Sequence, residues 1–160
     1  MISIELLLKH MKWANNEIFT KISKLDAEIL DFYVVDPEWK VKTIMLHITK
    51  ASNNYGQRLG GLPMSPLELR EPETADEVIE LTDLLNTIDD GLIKYVNDED
   101  VDISYETKDG IVTHKTSTIV SQIAFHAIEH RAQIVAALDR HNIRSINLDN
   151  YDVWSFVKSR

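Results

Sequence analysis

Apolar residues recur at intervals of three and four along most of this chain, which is the spacing of an amphipathic helix. The first such segment follows a heptad-like 4-3-4-3-4-3 pattern made of Ile4, Leu8, Met11, Asn15, Ile18, Ile22 and Leu25. A stripe of this kind stabilises a helix only when it packs against other helices. The pattern therefore predicts a helical bundle.

Two further segments repeat the pattern. The second helix is expected from about Glu38 to Leu59, after a start signal at Asp36-Pro37, with the stripe Val41, Ile44, Ile48, Ala51 and Tyr55. The third opens at Thr74, which has capping-box spacing to Glu77, and carries the stripe Val78, Leu81, Leu85, Ile88, Leu92 and Tyr95. Residues 60–72 hold two glycines and three prolines, so they are expected to form a loop. This loop is long enough to cross the bundle and let the second and third helices run parallel.

The remainder of the chain changes character before it becomes helical again. Two alternating β-prone runs flank Asp109-Gly110, which predicts a β-hairpin. A last long helix is expected from about Thr118 to Arg140, and the aromatic tail that follows is expected to dock as a final turn or helix. We therefore predict one all-α domain over residues 1–160. It is a four-helix bundle with a small β-hairpin between helices 3 and 4 and a short C-terminal helix.

Composition limits the classes of function. The 160 residues are 44% apolar, enough for a sizeable core, but no run is long enough to cross a membrane. The N-terminus lacks a basic leader, which predicts no signal peptide and a cytoplasmic location. With 17 basic and 26 acidic residues the net charge is −9, which argues against nucleic acid as a partner. Since cysteine is absent, a metal would need His, Asp, Glu or water, and any thiol would come from outside.

Five of the six histidines fall into two groups. His10, His114 and His141 fall on predicted polar faces or loop edges and are expected to be surface residues. His126 and His130 instead share an apolar stripe of the last helix with Ile119, Ile123, Ile134 and Ala137. Positions i and i+4 differ by only about 40° around a helix, so both imidazoles are expected to point into the bundle.

Two buried imidazoles pose a physical problem. If neutral, each needs a hydrogen-bond partner, and if charged, they repel each other. A divalent first-row cation such as Zn or Ni solves both problems, and His47 on the inward stripe of the second helix is a candidate third ligand. Three histidines leave coordination positions open, as in catalytic sites, where a bound water becomes a nucleophile. The alternative is that these are core histidines with ordinary hydrogen bonds.

The same letters also fit a protease motif. Residues His126 to His130 match H-x-x-E-H, the inverted zinc-protease pattern, with Glu129 as general base. On the helix, however, Glu129 lies about 60° from His126 and about 100° from His130, at the rim of the stripe. A surface glutamate is the simpler interpretation.

Three motifs carry a family resemblance. Lys12-Trp13-Ala14-Asn15 resembles the tyrosine/arginine-tryptophan-alanine-asparagine signature of the DinB-like (DinB/YfiT) superfamily of metalloenzymes. The segment from Trp39 to His47 resembles its second-helix motif, which ends in histidine. The segment from Phe125 to Ile134 resembles its last-helix motif, His-x-x-x-His-Arg-Gly-Gln-Ile, with Ala132 in place of the usual glycine. The likeness covers nearly the whole chain in order and spacing.

The resemblance implies a four-helix bundle, often dimeric, with a metal held by His47, His126 and His130. Characterised relatives include metal-dependent S-transferases that use low-molecular-weight thiols and a thiol-dependent isomerase. A small-molecule substrate and a homodimer are therefore expected, with no membrane or nucleic-acid partner. Such a metal site would present a coordinated thiol as thiolate.

Five further residues receive explicit expectations. Asn15 is either a support near the metal or a buried asparagine that fixes helix register. Gln133 is expected to be a polar support for the site, and Arg131 a surface or interface residue. Trp13 and Trp39 are interpreted as core aromatics, with a pocket lining as the alternative.

Three functional hypotheses remain open at this stage. The first is a metal-dependent enzyme that activates a low-molecular-weight thiol, as an S-transferase, or water. The second is a non-catalytic dimeric metal-binding or scaffold protein of stress response. The third is the inverted-motif zinc protease.

Overall fold

The computed structural model describes residues 3–60, 69–96 and 99–160, and these residues are mostly helical. Four long helices, a two-stranded hairpin and a short helix follow one another: α1 Ile4–Ile22, α2 Val41–Arg58, α3 Ala75–Tyr95, β1 Asp102–Thr107, β2 Gly110–Lys115, α4 Thr116–Arg140 and α5 Val153–Lys158. Two 3-10 turns, Ala27–Asp31 and Leu148–Tyr151, lie outside these elements. Among the described residues, no helix has both the length and the apolar character needed to cross a membrane.

The start of α2 differs from its prediction. Asp36 forms a turn, since its carbonyl accepts from Trp39 N at 3.0 Å and its carboxylate accepts from Glu38 N at 2.9 Å. This turn delays the helix to Val41, so the expectation of a helix from Glu38 was wrong by three residues. It also holds Trp39 just outside the helix.

The capping prediction for α3 is confirmed with one change. Thr74 Oγ1 accepts from Glu77 N at 3.2 Å, as in a capping box. Glu77 Oε2 in addition accepts from Glu73 N at 2.8 Å, one residue before the cap. In the same helix Tyr95 is 47% exposed, so its place in the buried stripe was predicted wrongly, because α3 ends there.

The contacts between helices define their directions. Lys42 and Ser52 of α2 meet Glu73 and Asp89 respectively, so α2 and α3 run parallel. The predicted loop that connects them spans residues 60–72, of which 61–68 lie outside the described residues. The helix α1 packs on α3 and α4, and α2 packs on the same two helices.

Two clusters of buried apolar residues fill the space between these helices. One joins all four long helices and includes Ile18, Phe19, Ile44, Leu85 and Leu138. The other lies beneath the hairpin and includes Leu8, Met11, Leu92, Val120 and Ile123. Each of these large side chains stabilises the fold by about 1.5–3 kcal/mol relative to an exposed one.

The hairpin forms where the sequence predicts it. In the antiparallel register Thr107 pairs with Gly110, so the turn residues are Lys108 and Asp109, one position before the predicted Asp109-Gly110 centre. Gly110 has a φ of 115°, which favours glycine. The strand β2 ends at Lys115, and α4 follows at the next residue, Thr116. Thr116 N donates to Val101 O at 2.9 Å, which ties the start of α4 to the residue before β1. As a result α4 begins at Thr116, two residues earlier than predicted.

The C-terminal tail docks on α1, as expected for its aromatic content. Trp13 of α1, half-buried, lies with its ring centroid 5.9 Å from that of Tyr151 and 5.4 Å from that of Phe156. His10, predicted to be a surface residue, is only 4% exposed. The reason is that the tail covers it, and Tyr151 O lies 2.8 Å from His10 Nε2.

Candidate metal centre

The helices α2 and α4 bring His47, His126 and His130 together. His126 and His130 are one turn apart on α4, and His47 faces them from the middle of α2. His130 is buried, while His47 and His126 are half-buried. The predicted trio of histidines is thus assembled at the interface of two helices, with one side toward the surface.

The three rings converge on one point through their Nε2 atoms. His126 Nε2 lies 2.9 Å from His47 Nε2 and 3.0 Å from His130 Nε2. One ligand atom from each residue lies within 4.8 Å of the other two. In the portion of the chain that the structure describes, no other group of three His, Cys, Asp or Glu residues has this geometry.

Gln133 fixes the tautomer of His130. Gln133 Oε1 lies 2.8 Å from His130 Nδ1 and accepts a hydrogen bond from Trp39 Nε1 at 2.9 Å. Since an amide oxygen can only accept, His130 carries its proton on Nδ1 and presents the Nε2 lone pair to the other two histidines. Gln133 was expected to support the site, and it does so by accepting the Nδ1–H hydrogen bond that orients the His130 ring.

Hydrogen bonds alone do not satisfy the trio. With a lone pair on His130 Nε2, His126 Nε2 would have to donate to it and could then accept nothing from His47. If His126 Nε2 accepts from His47 instead, two lone pairs face each other at 3.0 Å. At most one of the two short contacts is a hydrogen bond, so the trio is an incomplete hydrogen-bonded cluster.

Electrostatics favour the neutral form of His126 and His47. Burial, and then the charges of His130 and His47, lower the pKa of His126 to about 4. Burial also lowers the pKa of His47, with His130 adding to the effect. Neutral imidazole is the form that binds a metal.

The donor set fits a divalent cation. A metal–nitrogen distance of about 2.1 Å separates neighbouring ligand nitrogens by about 3.0 Å at right angles and by about 3.4 Å in a tetrahedral site. The two short N···N distances, 2.9 and 3.0 Å, are close to the first value and shorter than the second. Three imidazole nitrogens suit Zn, Ni and other first-row ions.

Trp39 packs at the edge of the apolar core and also contacts this centre. It is half-buried, and its ring centroid is 5.1 Å from that of His47 and 5.6 Å from that of His130. Its edge contacts with both imidazoles, together with its hydrogen bond to Gln133, hold the trio from the side of the turn before α2. The expectation of a core aromatic is therefore met, and the same ring borders the histidines.

Asn15 belongs to a separate buried network. Its Oδ1 accepts from Arg131 Nη1 at 2.6 Å, and its Nδ2 donates to Asp89 Oδ2 at 3.4 Å. Arg131, predicted at the surface, is only 3% exposed, because its side chain turns toward α1. Asn15 therefore contacts no histidine of the trio and acts on α4 only through Arg131.

The sequence reasoning missed Asp89 altogether. It is fully buried and accepts from Ser52 Oγ at 3.0 Å. Burial raises the pKa of its carboxyl to about 7, although the hydrogen bonds from Ser52 and Asn15 oppose the shift. Its spacing to Leu85 and Leu92 placed it on the apolar stripe of α3, a signal that could have found it.

The remaining candidates lie outside the centre. Glu129 is exposed, on the outer face of α4, which favours its interpretation as a surface glutamate. His114 and His141 are exposed, as predicted, and His141 stacks on Phe32 with centroids 3.8 Å apart.

The comparison with known families agrees with this geometry. The sequence model of the DinB family matches residues 1–151. The chain belongs to the DinB family. Neither the search of curated proteins nor the search of solved structures returned a match. The DinB assignment thus comes from the family match alone, and the geometry of the trio agrees with the metal-binding character of that superfamily.

Proposed function

We propose that this DinB protein is a metal-dependent enzyme in which His47, His126 and His130 hold one divalent cation, with Zn or Ni as the leading candidates. The supporting observation is the convergence of three imidazole nitrogens that cannot all be hydrogen-bonded to one another. We further propose that the four long helices form the four-helix bundle of this superfamily.

The reaction class follows from the donor set and from the resemblance. A cation held by three imidazoles lowers the pKa of a coordinated thiol or water. The chain has no cysteine, so a thiol substrate would be a separate small molecule. We favour transfer of a low-molecular-weight thiol to an electrophile, and activation of water is the second option.

The chain's own residues would prepare this chemistry. Gln133 keeps the His130 lone pair directed at the site, and Trp39 excludes water from one side. The half-buried His47 and His126 border the open side, through which a substrate would enter. The exposed position of Glu129 leaves the protease hypothesis without a general base beside the trio.

An assay of thiol transfer tests the proposal. Protein loaded with Zn(II) or Ni(II) is mixed with a small thiol and an aryl halide, and thioether formation is followed. The expected rate exceeds that of the free metal and thiol by at least about 100-fold and is lost in His126→Ala. A fully loaded protein that accelerates neither thiol transfer nor ester hydrolysis would instead support the scaffold hypothesis.

The homodimer that the resemblance implies remains a prediction. On the outer face of α4, Phe125 is 66% and Ile128 is 42% exposed, and large exposed apolar side chains are typical of protein interfaces. Analytical ultracentrifugation of Phe125→Glu, with Val35→Glu as a control at a distant exposed apolar residue, would test whether this face associates.

A further inference from the structure

A small cleft lies next to the histidine centre, between the end of α2, the hairpin and the start of α4. Its volume is about 160 Å³. Its polar lining residues are Tyr55, Arg58, Tyr105, His114, Thr118 and Gln122. None of these residues takes part in the trio, so the cleft needs its own explanation.

Arg58 is the only charged residue that lines this cleft, and it is held in an unusual way. Its guanidinium carbon lies 5.1 Å from the ring centroid of Tyr55 and 5.1 Å from that of Tyr105. Within the described part of the chain, no carboxylate forms an ion pair with it, although acidic residues outnumber basic ones by 26 to 17. Cation–π contacts with two rings restrain this exposed side chain, and no described carboxylate occupies its N–H donors.

The hairpin keeps this arrangement in place. Tyr105 on β1 places its hydroxyl 3.0 Å from His114 Nδ1 on β2. This cross-strand contact restrains the Tyr105 ring, which in turn restrains Arg58. A guanidinium that is oriented in advance loses little entropy when it binds a planar anion through two parallel hydrogen bonds.

The cleft is close to the histidine centre. The Tyr55 ring centroid lies 5.9 Å from that of His126, so Tyr55 touches both places. Gln122 and Thr118 precede His126 by one and two turns on α4, and two turns of helix span about 11 Å. A molecule about this long could reach from Arg58 to the trio.

A larger cleft elsewhere is a weaker candidate. It lies between α1, α3 and α5, with a volume of about 650 Å³, and includes Lys9 and Lys12. These two lysines pair with Glu5 and Asp90, and the third cation of this cleft, Arg160, lies over a single ring, that of Phe156. Arg58 differs because two rings hold its guanidinium from two elements of the fold.

We propose that the Arg58 cleft binds the carboxylate of an elongated small molecule whose other end reaches the histidine centre. This inference rests on the proposed function, because it assigns the acidic end of the substrate or thiol of that site. Arg58 recognises the carboxylate, Tyr55 and Tyr105 orient Arg58, and the hairpin forms the outer wall. The substrate class is therefore an acidic small molecule and not a neutral one.

The first arm of the test uses metal-free protein. Hexanoate and hexanol are titrated while the NMR signal of the Arg58 Nε–H group and the neighbouring amides are followed. Wild-type protein is expected to bind hexanoate about tenfold more tightly than hexanol, since a charge-assisted hydrogen bond contributes about 1.5 kcal/mol. Arg58→Gln should lose this preference, and Arg58→Lys should keep only part of it because lysine lacks the planar fork.

Arg140→Gln is the matched control, since it removes the same charge at the opposite, C-terminal end of α4. It should leave the preference for hexanoate unchanged. Equal binding of acid and alcohol by wild type, or an equal loss in Arg140→Gln, would overturn the proposal.

The second arm uses Co(II)-loaded protein with 6-mercaptohexanoate and 6-mercaptohexanol, and follows the cobalt–thiolate absorption. The acid is expected to bind about tenfold more tightly in wild type and no more tightly than the alcohol in Arg58→Gln. If the protein holds no metal, neither thiol gives the absorption and the proposed function fails, while the first arm still decides the role of Arg58. If the metal is held but the acid has no advantage, the Arg58 proposal fails alone.

Discussion

Two polar sites begin one residue apart on α4, and they are built on opposite principles. His130 faces α2 and lies beside two other imidazoles. The three Nε2 atoms are similar groups, and they cannot all form hydrogen bonds with one another. Arg131 faces α1 and joins Asn15 and Asp89, which supply complementary donors and acceptors. The Asp89 network is complete within the chain, while the hydrogen bonds among the three histidines are incomplete.

This difference separates structure from function. A buried network whose members satisfy one another rigidifies the fold, and removal of one member leaves the others without a partner. Three imidazoles placed together do not stabilise one another, and a bound cation would satisfy all three nitrogens. We therefore propose that the Asp89 network stabilises the fold and that the histidine centre binds a cation.

The largest expected effect is on stability. Asp89→Ala leaves the buried donors of Ser52 and Asn15 without their acceptor and should lower the free energy of unfolding by about 2 kcal/mol or more. Asp90→Ala, at the exposed neighbour that pairs with Lys12, should cost less than about 1 kcal/mol. Urea denaturation measures both. Equal losses in the two variants would show that the network has no special role.

A smaller effect is expected on metal affinity. Gln133→Leu removes the acceptor that orients His130 and should weaken metal binding by about 10- to 100-fold. Gln133→Glu keeps an acceptor oxygen at the same place and should retain most of the affinity. Competition with a chelating dye gives the affinities. An unchanged affinity in Gln133→Leu would remove Gln133 from the site.

The two regions should also respond to pH in opposite directions in the metal-free protein. The raised pKa of Asp89, about 7 against 3.8, gives stability that is present below pH 3.8 and lost as the pH rises through about 7. The lowered pKa of His126, about 4 against 6.5, gives stability that is present above pH 6.5 and lost as the pH falls through about 4.

Substitutions separate the contributions of Asp89 and His126 to the pH dependence of the unfolding free energy. Between pH 4 and 7, Asp89→Asn should make the unfolding free energy rise more steeply with pH than in wild type, because the opposing contribution is gone. His126→Gln should make the rise shallower. Urea denaturation at a series of pH values checks both, and two curves parallel to that of wild type would contradict the assignment.

The sequence predicted the histidine centre better than the Asp89 network, for a physical reason. The i, i+4 spacing of His126 and His130 on an apolar stripe is local information, and helix geometry converts it directly into a shared face. His47 was a candidate from its place on the inward stripe of α2, and the family resemblance supported its pairing with the other two, since spacing alone does not say which helices face each other. The helices themselves followed from periodicity, apart from shifts at their ends.

The misplaced residues depend on contacts between distant parts of the chain. His10 is buried by the tail around Tyr151, 141 residues further along. Arg131 is buried because Asn15, 116 residues away, accepts its hydrogen bond. The sequence did not predict a role for Arg58, because its partners are aromatic rings on α2 and on the hairpin, and no pattern of charges indicates such contacts. Such contacts become visible only when the fold brings the elements together.

The metal content of the protein shows whether His47, His126 and His130 hold a divalent cation. Wild type, His126→Ala/His130→Ala and the control His114→Ala/His141→Ala are incubated with Zn(II) or Ni(II), desalted and analysed by inductively coupled plasma mass spectrometry. We expect about one equivalent of metal in wild type and in the control, and none in the variant that lacks two of the three histidines. Wild type without metal after reconstitution, or equal metal in all three proteins, would contradict it.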